Sequence, residues 1–489
     1  MSPEKNIIMQ SSKTSKIIIL VEFLLIIALL AVLLTRYISL SDVKPVVRTP
    51  NKPGESTLAY TPPPPPKVQI KTIKTIAKIR KLFAPTMEKI SDDIYLARGF
   101  GTGSIMMVIT DEGLVIIDTS EAQVVAKEVL AEFRKITDKP VKYIIYTHAH
   151  IDHIYGSPVF MENDTQVIAT NKALEMMQQD LGWFSDYHDR SRDIQTGKGA
   201  PDYAKKLPFK SPFKHDDKQQ YVKPTISFDE EYAFELGGKR FELYHTIGET
   251  PGHLMVWMPE EKALFSGDLY YESFPNLSTP MFESRQVKGW YESLDRMLQL
   301  NAHYLIPSHT LPVVGEEKIR DILIHHSQGI RYVYDETIKA INTGKSVEEA
   351  VATIKLPEAL AARSHLKEGY GRVDWSVRGI YRNMTGWYDG KGTGLSPLPP
   401  QHRATELVNL SGGAAKILTR AIELQKAGEH QLVTELCDVV IQANPEDKLA
   451  HIIKAYSLDY LGIQGGNLNM FGFYRSAAAM ERKAAGIKP

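Results

Sequence analysis

Within six consecutive positions the chain sets three imidazoles and a carboxylate: His148, His150, Asp152 and His153. Neutral imidazole nitrogen and carboxylate oxygen are ligands that zinc accepts, and four of them on one turn leave little ordering entropy to be met when an ion binds. Only 15 histidines occur in 489 residues, so a loop that is histidine-rich by accident is a poor explanation of the cluster. A cation held there would lower the pKa of a bound water and neutralise charge developing on a substrate, which is the chemistry of hydrolysis.

The residues before the cluster say how it is positioned. Val141-Lys142-Tyr143-Ile144-Ile145-Tyr146 is a β-branched and aromatic run that reads as a buried strand, so the chelating residues fall on the loop at its C-terminal end, where open α/β sheets place ligands. Upstream, Ile94-Tyr95-Leu96, Ser104 to Thr110 and Leu114 to Asp118 read as adjacent strands, the last two joined by the turn Thr110-Asp111-Glu112-Gly113. Helical periodicity follows from Ala122 to Ile136. This order of hairpin, helix, strand and His-rich loop resembles the metallo-β-lactamase fold, which implies an α/β αβ/βα sandwich of four layers with a zinc site at the sheet edges.

Three later loops then match the motifs of that family in order: Glu249-Thr250-Pro251-Gly252-His253, Ala263-Leu264-Phe265-Ser266-Gly267-Asp268 and Tyr304-Leu305-Ile306-Pro307-Ser308-His309. The resemblance implies two Zn2+ ions. His148, His150 and His253 would hold one, Asp152, His153 and His309 the other, with Asp268 bridging and Asp152 also orienting the attacking water. His245 is expected to be structural, orienting a ligand from a strand. His303, His325 and His326 are expected on helix or surface positions.

Farther on, Gly369-Tyr370-Gly371, Ile380-Tyr381-Arg382, Gly386-Trp387-Tyr388-Asp389-Gly390 and Leu395-Ser396-Pro397-Leu398-Pro399-Pro400 resemble the alkylsulfatase dimerisation domain. That likeness implies a homodimer and an alkyl sulfate ester as substrate. Ala414 to Ala427, Gln431 to Ala443 and Lys448 to Leu461 read as a TPR-like all-α tail, with Leu432, Leu436, Val439 and Val440 at helical spacing. Two departures from the family pattern concern the substrate. Alkylsulfatases carry glutamates where this chain has His253 and Asp268, and an arginine that grips sulfate in a segment that here reads Asn276-Leu277-Ser278-Thr279-Pro280-Met281. Asn276, Arg285 and Tyr370 are the candidates for holding the substrate, and Phe274, Leu277, Met281 and Phe282 for accommodating an alkyl chain. Carboxylic ester, lactone or β-lactam hydrolysis on the same fold is the alternative reaction, and a non-catalytic membrane-tethered TPR-like interaction protein the alternative class.

Composition bounds the rest. Lys plus Arg equals Asp plus Glu at 58 each, which gives no global field for counterion release, so nucleic-acid binding is not indicated. The single cysteine, Cys437, cannot form an intramolecular disulfide and is placed in a helix core. Ile17 to Leu34 is an apolar run interrupted only by Glu22, long enough for a bilayer and not followed by a small-x-small cleavage site. The expected organisation is a cytoplasmic tail over 1–16, a transmembrane anchor over 17–35, a Pro-rich linker over 36–85 that packs against nothing, a catalytic domain over 86–330 and a helical dimerisation domain over 331–489. The expected location is a membrane with the catalytic domain facing the periplasm or cell exterior, secretion after signal cleavage being the alternative.

Overall fold

The computed structural model describes residues 60–62, 84–197, 220–281 and 285–487. Contacts divide the chain into two units: one comprises residues 69–398 with 465–477, the other residues 1–68 and 399–464 with 478–489.

The first unit is built on two sheets. In one, seven strands run in sequence order: β1 Thr86–Lys89, β2 Ile94–Arg98, β3 Ile105–Ile109, β4 Leu114–Ile117, β5 Val141–Ile145, β6 Gln166–Thr170 and β7 Ile226–Phe228. The other holds β8 Glu231–Leu236, β9 Lys239–His245, β10 Leu254–Met258, β11 Ala263–Gly267, β12 Tyr304–Pro307 and β13 Val313–Val314, in the reverse order β13 to β8. Period-two alternation decides which side chains face which layer. Met106, Val108, Val115 and Ile117 meet Leu254, Val256, Phe265 and Ile306 between the sheets. The alternate residues Ile105, Met107, Leu114 and Ile116 pack outward against Val125, Val129 and Phe133 of helix α1 Gln123–Phe133. Met255, Trp257, Leu264 and Leu305 face outward on the second sheet, in one apolar cluster with Trp290 and Leu294 of a helix over Val287–Gln299 and with Ile330 and Val333 of a 27-residue helix over Glu316–Asn342. Helices thus flank the paired sheets on both sides, giving the expected four layers.

The hairpin between β3 and β4 forms as expected, with Ile109 paired to Leu114. Gly113 is needed there for close approach, since a Cβ would stand 2.7 Å from the Pro140 carbonyl oxygen. β4 runs parallel to β5, and β11 parallel to β12. Their C-terminal ends deliver the loops that follow them to sheet edges, and β10, antiparallel to β11, brings its own N-terminus to the same edge.

The second unit is helical, with antiparallel-hairpin helices over Ala414–Ala427, His430–Ala443 and Lys448–Gln464. Of the expected apolar positions, Val440 is buried, Leu436 and Val439 pack against the core and Leu432 is exposed, its neighbour Val433 taking the buried place; Cys437 lies in the core as expected. The linker expectation also changes at Tyr60, which is 2% exposed and donates its hydroxyl to Gln425 Oε1 at 2.7 Å. An aromatic body with a bonded polar tip is a stable core residue, and Tyr60 joins this unit's apolar cluster.

The expected anchor over 17–35 lies outside the described residues. Among the described residues no helix is long and apolar enough to cross a membrane. Even the helix over Glu316–Asn342 is amphipathic, with charged residues along its outer face. The membrane placement, the single-pass anchor and the orientation toward periplasm or exterior are corrected accordingly: no membrane-spanning element is assigned.

Candidate metal centre

The four clustered residues sit just beyond β5. His148 lies in the loop, His150 caps a short helix over Ile151–Ile154, and Asp152 and His153 lie within it. His253 immediately precedes β10, Asp268 immediately follows β11, and His309 follows β12 by one residue. Gly267, just before Asp268, takes φ of 52°, and a Cβ there would lie 2.4 Å from His253 Nε2. Only glycine lets the strand turn so close to the imidazole.

Three groups of side chains bring their ligand atoms within 4.8 Å of one another: His148 with His153 and Asp268, Asp152 with His153 and His309, and His150 with Glu249 and Asp268. Asp268 Oδ2 lies 3.9 Å from His148 Nε2, 3.6 Å from His153 Nε2 and 3.3 Å from His309 Nε2. Asp152 stands 3.4 Å from His309 Nε2 and 3.7 Å from His153 Nε2. His148 Nε2 approaches His150 Nδ1 within 2.9 Å. His253 stacks beside His148 at 5.1 Å between ring centroids, but its Nε2 accepts the Asp268 backbone N–H at 3.1 Å. Glu249, which lies in the quoted loop but had no role assigned from sequence, stands 3.8 Å from His150.

The ring orientations follow from hydrogen bonds behind the site. Asp118, at the end of β4 with φ of 56°, accepts from Thr147 N at 2.8 Å, Thr147 Oγ1 at 2.9 Å, Ser308 Oγ at 2.6 Å and His153 Nδ1 at 2.7 Å. With its hydroxyl proton given to Asp118, Thr147 Oγ1 accepts from His148 Nδ1 at 3.1 Å. His309 Nδ1 donates to the Thr102 carbonyl at 3.0 Å, and Thr102 N is held in turn by buried Glu121 at 2.8 Å. In each case the bonded nitrogen carries the proton and the other faces the cluster, as in metal sites whose ligands are oriented by outer partners. Asp118 was read from sequence only as a strand end. Its signal was available: a carboxylate at the C-terminal end of a central buried strand. His245 donates from Nε2 to the Pro251 carbonyl at 2.8 Å, bracing the loop that carries Glu249 and His253. His303 and His325 lie away from the cluster, while His326 is a core residue beside Tyr270, 5.4 Å between centroids.

Electrostatics fit a cation. Burial holds His148 well below the ordinary imidazole range, His150 near 4 with Arg285 adding to the effect, and His253 near 3. Burial opposes charge on His153 and His309 too, yet Asp118 and Asp268 raise His153, and Asp268 with Asp152 raises His309 to about 10. Both aspartates 152 and 268 are held low against burial, chiefly by His153 for Asp152 and by His309 for Asp268. The carboxylates thus favour positive charge at His153 and His309, the charge that a metal ion would supply in their midst. Among the described residues His153 Nε2 and Asp268 Oδ1 also find no hydrogen-bond partner, a costly buried state that a coordinated ion would relieve. The donor set of imidazoles and carboxylates suits zinc.

A wall of polar side chains faces this cluster. Arg285 forks onto both carboxylate oxygens of Glu249 and donates to the Asn276 carbonyl at 2.6 Å. Burial pushes Glu249 up to about 8, with the Arg285 guanidinium opposing the shift. Tyr271 stacks edge-on to Tyr370 at 5.5 Å and accepts from Asn276 N at 2.7 Å. The Asn276 side-chain amide is fully buried, and among the described residues neither its Nδ2 nor its Oδ1 has a partner. Of the residues expected to take an alkyl chain, Phe274 and Leu277 are instead wholly packed into the core, Met281 is partly exposed, and Phe282 lies outside the described residues.

An αβ/βα sandwich with a His/Asp cluster at the sheet edge defines a hydrolase of the metallo-β-lactamase superfamily, whose fold implies divalent metal binding. Residues 98–309 match the family model for the metallo-beta-lactamase superfamily, and residues 346–484 match that for alkyl sulfatase dimerisation. A linear primary-alkylsulfatase of a Pseudomonas species is 32% identical over 404 residues, covering 78% of this chain and 74% of the relative. The chain belongs to the alkylsulfatase family. An (R)-specific secondary-alkylsulfatase of Pseudomonas is 26% identical, over 79% of this chain and 61% of its own length, and an alkyl/aryl-sulfatase of Saccharomyces cerevisiae is 26% identical, over 77% and 60%. The solved structure of a stereoselective inverting sec-alkylsulfatase from Pseudomonas shares the fold, with a TM-score of 0.79 at 24% identity over 85% of this chain and 68% of that one.

Proposed function

We propose that this chain hydrolyses the sulfate monoesters of alkyl alcohols, taking up water to release an alcohol and hydrogen sulfate, at a centre for two zinc ions. His148, His150 and His253, with Glu249 beside them, would hold one ion, and Asp152, His153 and His309 the other, with Asp268 between. When bound, such a pair of ions supplies a water of lowered pKa and neutralises charge on the ester oxygens.

The chain's own residues supply the rest. Asp152, turned toward the cluster beside His309, orients the attacking water. Arg285, its guanidinium held by Glu249, presents its positive charge and remaining N–H groups to the sulfuryl oxygens, which lysine in its place would not reproduce. The observation that carries the reading is the Asn276 amide beside it: a fully buried donor and acceptor with no partner among the described residues is a costly group that the polar atoms of a bound ligand would satisfy. Tyr370 closes the same wall. Arg285 supplies the cation that the family places in the segment occupied here by Pro280 and Met281, reaching the site from four residues beyond Met281. Two copies of the chain are proposed to associate through the region matched by the dimerisation model, which sedimentation equilibrium tests directly.

The test is a substrate panel on the purified protein with zinc: dodecyl sulfate, a lactone, a chromogenic cephalosporin and a phosphodiester. Release of inorganic sulfate from the first, with little turnover of the others, is expected. Preferential opening of the lactone or cephalosporin would replace this reading with carboxyl-group hydrolysis.

A further inference from the structure

The loop that presents Tyr370 is clamped from two directions. On the side of the metal centre, Ser273 Oγ donates to the Lys367 carbonyl at 2.9 Å and accepts from Tyr370 N at 3.0 Å, while Gly371 N donates to the Phe274 carbonyl at 3.0 Å. Gly371 makes this contact possible, because a Cβ there would lie 1.9 Å from the Pro275 carbonyl oxygen. On the other side stands a segment from the far end of the sequence. Asn467 Nδ2 donates to the Glu368 carbonyl at 2.9 Å and the Tyr370 carbonyl at 3.0 Å, Leu468 N donates to the Gly369 carbonyl at 2.9 Å, and Asn469 Nδ2 donates to the Tyr370 carbonyl at 3.0 Å. Both asparagines are 3% exposed. Asn467 Oδ1 also accepts from Met470 N at 3.0 Å, so one side chain caps the last helix, Leu468–Ala484, and holds the loop.

We infer that Asn467 and Asn469 are positioning residues for the reaction: from the C-terminal segment they fix the carbonyl of Tyr370 and so aim its ring at the sulfuryl site beside Arg285. Tyr370 is placed against the wall of the centre, edge-on to Tyr271, with Glu249, Arg285, Asp152 and Asp268 as neighbours. Both lone pairs of its carbonyl oxygen are taken by amide donors from the C-terminal segment, Asn467 and Asn469. Residues 465–477 group with the catalytic unit and not with the helices that precede them, as this role demands. The segment braces a second part of the unit as well, through Ser476 Oγ, which donates to the Ile194 carbonyl at 2.9 Å.

The inference rests on the proposed reading of Tyr370 as a substrate contact, and the experiment separates the two. Zinc-loaded wild type, Tyr370→Phe, Asn469→Ala, Asn467→Ala and the double variant Tyr370→Phe with Asn469→Ala are compared on dodecyl sulfate, with metal content and melting temperature measured for each. Misplacing a contact by a fraction of an ångström is expected to lower kcat/KM by about 10- to 100-fold in Asn469→Ala with zinc content unchanged. The double variant should be no worse than Tyr370→Phe alone, since both act through one side chain. Additive losses, or normal kinetics in a folded Asn469→Ala protein, would overturn the inference. If Tyr370→Phe itself turns over like wild type, the substrate-contact reading fails instead. Should Asn467→Ala not fold, Asn467→Asp, which keeps the helix-capping oxygen and loses the amide donors, carries the same expectation.

Discussion

The two halves of the site are made differently. The metal-facing half is delivered by strand ends: His148 beyond β5, Asp268 beyond β11, His309 beyond β12, with Asp118 at the end of β4 tying the loops beyond β5 and β12 together. The opposite wall is made of loop residues held by long-range bonds, Arg285 to Glu249, Ser273 to the Tyr370 loop, and Asn467 across 97 residues to Tyr370. Sheet edges fix ligands within tight tolerances, which metal coordination demands, whereas a loop wall can be re-cut to suit a substrate without disturbing them.

That contrast can be broken or sharpened by mutation. The largest effect is expected at the strand ends: His148→Ala should lose zinc by elemental analysis and lower sulfate release on the order of a thousandfold. Retention of both metal and turnover would remove the metal half from the mechanism. On the loop wall, Arg285→Ala should keep its zinc yet lower kcat/KM on dodecyl sulfate by about 10- to 100-fold, as expected for loss of a charge-assisted fork, and Arg285→Lys should recover little of it. Behind the metal half, Asp118→Asn should weaken zinc binding by about 10- to 100-fold in competition with a chelator, because His153 loses its orienting partner.

A smaller effect lies away from both halves. Burial, with His365 beside it, holds His326 near pKa 3 in the folded protein. An unfolded chain takes up that proton near the ordinary histidine value of about 6.5, so the group leaves stability untouched above that value and erodes it as pH falls from 6.5 toward 3, at up to about 1.4 kcal/mol per pH unit. Urea melts at pH 7 and pH 5 should therefore show a smaller acid loss in His326→Gln than in wild type. The smallest effect is expected at Leu432, where the exposed side chain predicts that Leu432→Ser shifts stability by less than about 0.5 kcal/mol, against about 1 kcal/mol or more for Val433→Ala next to it.

The metal half was legible in sequence because its chemistry is local. Three imidazoles and a carboxylate in six positions, followed by three strand-then-ligand motifs, need only the strand periodicity to be placed, and β3, β4, β5 and α1 fall within a few residues of their expected spans. What sequence left out there was Asp118 and the role of Glu249. Neither is marked by spacing; both become visible through the hydrogen bonds and ion pairs that converge on them. The wall was legible only as a short set of names, Asn276, Arg285 and Tyr370, since nothing local says that Arg285 pairs with Glu249 or that the last helix holds Tyr370. Residues Phe274 and Leu277 were expected at a pocket mouth because apolar residues in a loop look the same whether they line a pocket or fill a core. In the helical tail, Leu432 and Val433 differ by one position, about 100° of helix, which periodicity alone assigns poorly when both neighbours are apolar. The expected membrane anchor rested on an apolar run outside the described residues, and no described helix replaces it.

Reconstitution of metal-stripped protein tests the central claim most directly. Sulfate released from dodecyl sulfate is measured as zinc is added back in fractions of an equivalent. Activity absent without metal and saturating at two equivalents per chain is expected if the proposed two ions are held on either side of Asp268. Sulfate release that persists after complete chelation, or a metal-loaded protein that releases none, would contradict it.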